Sequence, residues 1–127
     1  MENNLKREVM SVRKLSTKSN KAWDAIIECG QREFDPQETM QILTANKPIY
    51  WSWGVSNGIC THKVLALKVN GHHHKGWVVI NLMWEDLYRV TLISTHGNIK
   101  NQSVGLYFDQ LVEWIDNKVE KIEAYQN

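Results

Sequence analysis

Apolar positions along the chain change their period twice, and the changes divide it into a helical start, a β middle and a helical end. Near the amino end Leu5, Val9, Val12 and Leu15 recur at three-to-four spacing among basic residues, which predicts an amphipathic helical piece. Residues 16–20 interrupt it. A second piece is predicted over 21–29, with Trp23, Ile26 and Ile27 on its apolar side and Gly30 as a left-handed stop. Asp35, Pro36 and Glu38 then form a helix start: a capping carboxylate, a proline at the first helical position and an acid in the first turn. This short helix carries Met40, Leu43 and Ala45 inward and ends near Asn46 and Lys47, where Pro48 is expected to turn the chain extended.

Between Ile49 and Ser94 the period falls to two, and β-branched and aromatic residues dominate. Strands are predicted over 49–53, 60–69, 77–83 and 87–94, with 99–104 as a short edge strand. Asn70 and Gly71 open a hairpin loop that runs through His72 to Gly76, and residues 84–86 make a tight turn. The last segment, 106–124, reads as a long amphipathic helix with Tyr107, Leu111, Ile115, Val119 and Ile122 on one stripe. Connections this short between strands favour an antiparallel meander, because parallel pairs need a crossover. The expected fold is therefore α+β: a four- to five-stranded antiparallel meander flanked by an N-terminal helical region and a long C-terminal helix. A single domain, 1–127, is expected, with 1–35 a basic helical extension and 36–127 a helix-meander-helix core.

Both faces of the sheet read as apolar. On the third strand Val78, Ile80 and Leu82 alternate with Trp77, Val79 and Met83, whereas a sheet with one wet face alternates apolar with polar. The second face is expected to be covered by the amino-terminal helices, whose Leu5, Val9 and Val12 stripe otherwise has nothing to bury.

Composition adds three constraints. A chain of 127 residues supports one core, and six tryptophans must fill it or form a contact surface. Charge is uneven: Lys6, Arg7, Arg13, Lys14, Lys18 and Lys21 face only Glu2 and Glu8, while the carboxyl end is acidic. Cys29 and Cys60 lie outside any metal-ribbon or redox spacing and are expected as free thiols. With neither a signal-type apolar run nor a membrane-length one in the sequence, a cytoplasmic location and no membrane partner are expected.

Two phrases carry a resemblance. Asn81-Leu82 followed by Asp86-Leu87-Tyr88-Arg89-Val90, and Gly105-Leu106-Tyr107-Phe108-Asp109-Gln110-Leu111, make residues 36–125 resemble small α+β proteins of Bacteroidetes phages and mobile elements. The resemblance implies the fold and a mobile-element origin, and it brings no catalytic residues. The His72-His73-His74 triplet departs from the pattern.

Candidate chemistry is sparse. Consecutive histidines do not close around one ion, and His62 belongs at the far end of the hairpin, so no metal site is expected. Glu85 and Asp86 are neighbours on one turn, not opposed groups, and Asp86 is read as a turn cap. Ser52, Ser94 and Ser103 lack recognisable partners, and no phosphate loop or nucleophile elbow occurs. The expectation is a protein that is not an enzyme and uses no cofactor. Trp51 and Trp53 share a predicted face with Ile49 and are read as core, leaving Tyr50 outward. Trp84, in a turn, reads as an interface anchor, and Trp114 lies off the main helical stripe. Trp84, Trp114, Tyr50 and Trp77 are thus the candidate partner-binding residues of a binding or inhibitory accessory protein. Its expected partner is a protein, in analogy with small antagonists of host-defence nucleases such as CRISPR effectors. The alternative is a nucleic-acid binder using Lys6, Arg7, Arg13, Lys14, Lys18 and Lys21 with the sheet aromatics.

Overall fold

The computed structural model describes residues 20–121, and its central part is a five-stranded antiparallel meander in the order β1-β2-β3-β4-β5. The strands are β1 (Asn57–Cys60), β2 (Leu65–Asn70), β3 (Lys75–Leu82), β4 (Tyr88–Ser94) and β5 (Ile99–Gln102). Helix α1 (Asn20–Glu28) precedes the sheet, followed by α2 (Pro36–Thr44) and α3 (Lys47–Ser52); a 3₁₀ turn (Phe108–Gln110) and α4 (Leu111–Val119) follow it. The protein is α+β, as the period changes predict.

Local chemistry sets the helix starts. Asp35 accepts from the Gln37 amide at 2.9 Å, with Pro36 at the first turn. β2 and β3 pair from Leu65 opposite Ile80 to Asn70 opposite Lys75, so Leu67 and Val78 share one face and Ala66 and Val79 the other.

Each face has its own core. On one, Leu65, Leu67, Val78, Ile80, Val90 and Leu92 pack with Leu43 of α2, with Trp53, and with Leu111, Ile115 and Val119 of α4. On the other, Ile59, Ala66, Val79 and Ile93 pack with Val64 and with Ile26 and Cys29 of the α1 region, while Trp23 and Trp77 close its margin. Burial of this kind stabilises by about 1.5–3 kcal/mol per large aliphatic side chain, so each covering helix is held mainly by its apolar stripe. Arg89 reinforces the α1 side: its Nε donates to Asn81 Oδ1 at 3.1 Å and its Nη2 to the Cys29 carbonyl at 3.0 Å. The first predicted piece, with its Leu5, Val9 and Val12 stripe, lies outside the described residues.

Several expectations need correction. Residues 49–53 are not a strand. Asn46 caps α3 by accepting from the Ile49 amide, Pro48 sits in the first turn where its missing N–H costs nothing, and the chain coils through Ser52. The helical period separates the two tryptophans: Trp53 is fully buried, and Trp51, read as core, is 69% exposed. The predicted strand 60–69 is two strands, broken where Thr61 Oγ1 accepts from the amides of Lys63 and Val64. Gly30 is not left-handed; glycine is required because a Cβ there would lie 2.8 Å from that of Lys63. The last helix begins later than predicted, since Leu106 pairs with Tyr88 as a β-bridge and Tyr107, placed on the packed stripe, is exposed.

Candidate protein-contact surface

The β3–β4 turn is built from two short-range bonds: the Met83 amide donates to the Leu87 carbonyl at 2.8 Å, and the Asp86 amide to the Met83 carbonyl at 3.0 Å. Asp86 closes it with a φ of 67°, a left-handed backbone that Asp tolerates better than most residues. The carboxylate does not cap the turn as the sequence suggests. It pairs with the Arg32 guanidinium, so the ends of two distant segments meet there.

A third tie comes from the same segment. The Trp84 amide donates to Gln31 Oε1 at 3.1 Å, and the Arg32 amide donates to the Leu82 carbonyl at 3.3 Å. Trp84 therefore sits on a turn fixed from inside and from the α1–α2 connection, yet its indole is 71% exposed. A large aromatic carried into water on a fixed turn leaves its apolar area uncovered unless something packs on it.

More apolar surface belongs to this end of the sheet. Tyr88 and Leu106 exchange backbone bonds at 2.8 and 2.7 Å, which lays the segment after β5 alongside the start of β4. Gly105 packs so closely that a Cβ would lie 2.7 Å from Leu87 Cδ1 and 3.1 Å from Met83 Cε. The same segment leaves Val104, Tyr107 and Phe108 exposed, with Glu85 and Asp109 as exposed charges beside these aromatics in sequence. Sequence reasoning missed Val104, Tyr107 and Phe108. The available signal was the Tyr107–Gln110 spacing: Gln110 Oε1 accepts from the Tyr107 amide at 2.8 Å and starts the helix one turn late.

The other sequence candidates are placed apart. Tyr50 and Trp114 are half-buried and border the core on the α4 side of the sheet. Tyr50 meets Trp53 edge-on at 5.6 Å and burial raises its phenol pKa, while Lys118 lies 5.9 Å from the Trp114 ring. Trp77 closes the opposite core under Lys68, 6.0 Å from its ring. The structure thus brings no two of Trp84, Trp114, Tyr50 and Trp77 into one patch with Trp84 at its centre. Of the basic set, Lys6, Arg7, Arg13, Lys14 and Lys18 lie outside the described residues, and Lys21 falls in the first turn of α1.

Titratable groups are dispersed or engaged. Burial raises the Cys29 thiol pKa, partly opposed by Thr91, which hydrogen-bonds the sulfur. His74 is buried with its Nε2 3.1 Å from the Trp77 carbonyl, and burial lowers its pKa. The rest of the triplet docks on the end of α4, where the His73 amide donates to the Val119 carbonyl at 2.7 Å and the His72 amide to Glu120 Oε1 at 2.8 Å. Among the described residues no three His, Cys, Asp or Glu side chains are grouped to hold a metal ion, and no helix is long and apolar enough to cross a membrane. Comparison of the chain with protein-family profiles, with curated proteins and with solved structures found no match.

Proposed function

We propose that this domain is a non-catalytic binding protein whose contact with a protein partner is anchored by Trp84. The observation that carries the reading is the combination of an indole 71% exposed with a turn fixed by Gln31 and Arg32. An aromatic carried on a fixed backbone leaves less to be ordered on association than one on a free loop, and tryptophan is among the residues that dominate binding energy at interfaces. Val104, Tyr107 and Phe108 supply further apolar area on the segment tied to the same hairpin.

We further propose a phage or mobile-element origin and a role as an inhibitor that occupies the surface of a host-defence nuclease such as a CRISPR effector. This part rests on the resemblance of residues 36–125 and on analogy of size, not on the geometry of the turn.

Affinity capture from nuclease-treated bacterial host lysate, with wild type and Trp84→Ala side by side, tests the reading. A stoichiometric protein recovered by wild type and lost with Trp84→Ala is expected. Equal recovery by the variant, or no stoichiometric protein with either, overturns it.

A further inference from the structure

The two ends of the sheet carry opposite charge. At the end with the β3–β4 turn, Tyr88 is the junction: its ring meets Phe34 edge-on, its hydroxyl lies 3.1 Å from Thr39 Oγ1, and its backbone pairs with Leu106. The start of α2, the β3–β4 turn and the 3₁₀ turn are therefore neighbours, and they bring exposed Glu33, Asp35, Glu38, Glu85 and Asp109 to this end. Bases here are few or spent. Arg32 is held by Asp86 and Arg89 by Asn81 and the Cys29 carbonyl, which leaves His62 and Lys63 in the β1–β2 turn among the described residues.

The lysines gather at the far end. Lys75 starts β3, Lys100 is near enough to the buried His74 to disfavour its protonation, and Lys118 and Lys121 lie at and just beyond the end of α4, onto which the β2–β3 loop docks through His73. Part of the acidity at the Trp84 end has a local use: Asp35 caps α2, and Glu38 and Asp109 sit in first turns where the helix dipole favours an anion. Glu33 and Glu85 have no such use. Neither makes a hydrogen bond or ion pair among the described residues, and Glu85 follows Trp84 directly at the tip of the turn. The exposed apolar surface of Trp84, Val104, Tyr107 and Phe108 thus shares its end of the sheet with negative charge that the fold does not consume.

We propose that this surface takes a basic segment of the protein partner, one in which arginine or lysine is interleaved with apolar side chains. The inference rests on Trp84 being the anchor and adds the chemistry of what the anchor grips. Uncovered indole and phenyl faces attract guanidinium and ammonium groups. The carboxylates add charge complementarity and repel acidic surfaces and phosphate backbones. Attraction of this kind speeds association and falls as salt rises.

A synthetic probe tests the chemistry without the partner. A short capped peptide alternating arginine with leucine, and its counterpart with glutamate in place of arginine, are titrated into the isotope-labelled full chain and followed by NMR. The arginine peptide should shift the Trp84 indole signal, assigned by its absence in Trp84→Phe, and the amides of Tyr107 and Phe108, while His73 and Lys100 at the far end stay in place. Glu33→Lys with Glu85→Lys, both at exposed positions, should leave thermal unfolding unchanged and weaken the arginine peptide about five-fold or more. Raising salt from about 0.02 M to about 0.2 M should weaken it about three-fold or more. Equal binding of the glutamate peptide, no shift at Trp84, shifts centred on the far end, or indifference to the charge reversal would overturn the inference. So would Trp84-dependent self-association in sedimentation without peptide, which would make a second copy the occupant. Peptide binding that needs Trp84 but ignores charge overturns the basic partner and leaves the anchor standing, whereas charge-dependent peptide binding beside an empty lysate capture overturns only the partner reading above.

Discussion

Gln31 accepts the amide hydrogen of Trp84 at 3.1 Å, tying the β3–β4 turn to the segment that leaves α1. The neighbouring Arg32–Asp86 pair ties the other side of the turn. Both partners of that pair are solvent-exposed, so its worth lies in fixing geometry more than in stability. Three anchors around one exposed indole are the basis of the binding account.

Asp86 allows turn rigidity to be separated from turn stability. Asp86→Gly removes the ion pair but suits the φ of 67°, and its unfolding free energy should stay within about 0.5 kcal/mol of wild type. Asp86→Val keeps neither the charge nor a tolerated backbone and should cost about 1–2 kcal/mol. Chemical denaturation of the two variants checks the order.

Two tryptophans two residues apart should behave oppositely. Trp53 is fully buried and its Nε1 donates to Asp116 Oδ1 at 3.0 Å, so Trp53→Phe should cost about 1–3 kcal/mol and Trp53→Ala about 3–5 kcal/mol. Trp51→Ala should change stability by less than about 0.5 kcal/mol. Similar costs at both positions would fit the strand that residues 49–53 suggest on sequence alone.

That misreading has a physical origin. Ile-Tyr-Trp-Ser-Trp has strand composition and strand alternation, and what overrides it is the Asn46 cap and the burial of Trp53 against Asp116, a residue 63 positions away. The α2 start and the β2–β3 hairpin were legible because Asp35-Pro36 and the alternating run 65–69 act locally. The exposure of Trp84 was legible from its place in a tight turn. Its fixation was not, because Gln31 lies 53 residues away and reaches the turn only through the packing of α1.

Acid should weaken the fold through His74. Burial holds its imidazole below the ordinary histidine range, with Lys100 opposing protonation and the Trp77 carbonyl favouring it. The unfolded chain therefore takes up the proton first. Stability that depends on neutral His74 is complete above about pH 6.5 and is lost as pH falls through the depressed folded pKa. Wild type should lose more stability than His74→Gln between about pH 7.5 and about pH 5 in urea unfolding.

The loop that presents the histidines depends on Gly71. A Cβ there would lie 2.4 Å from Val119 Cγ1 and 2.5 Å from its carbonyl oxygen, so Gly71→Ala must push the loop off the end of α4. A loss of about 1–3 kcal/mol is expected, with faster amide exchange at His73, whose N–H donates to Val119.

The affinity of the captured partner for purified wild type and Trp84→Ala, measured by titration calorimetry at equal thermal stability, bears most directly on the account. Trp84→Ala is predicted to weaken binding about 30-fold or more, the scale of a central aromatic anchor. Affinities equal within about two-fold would contradict a contact centred on Trp84.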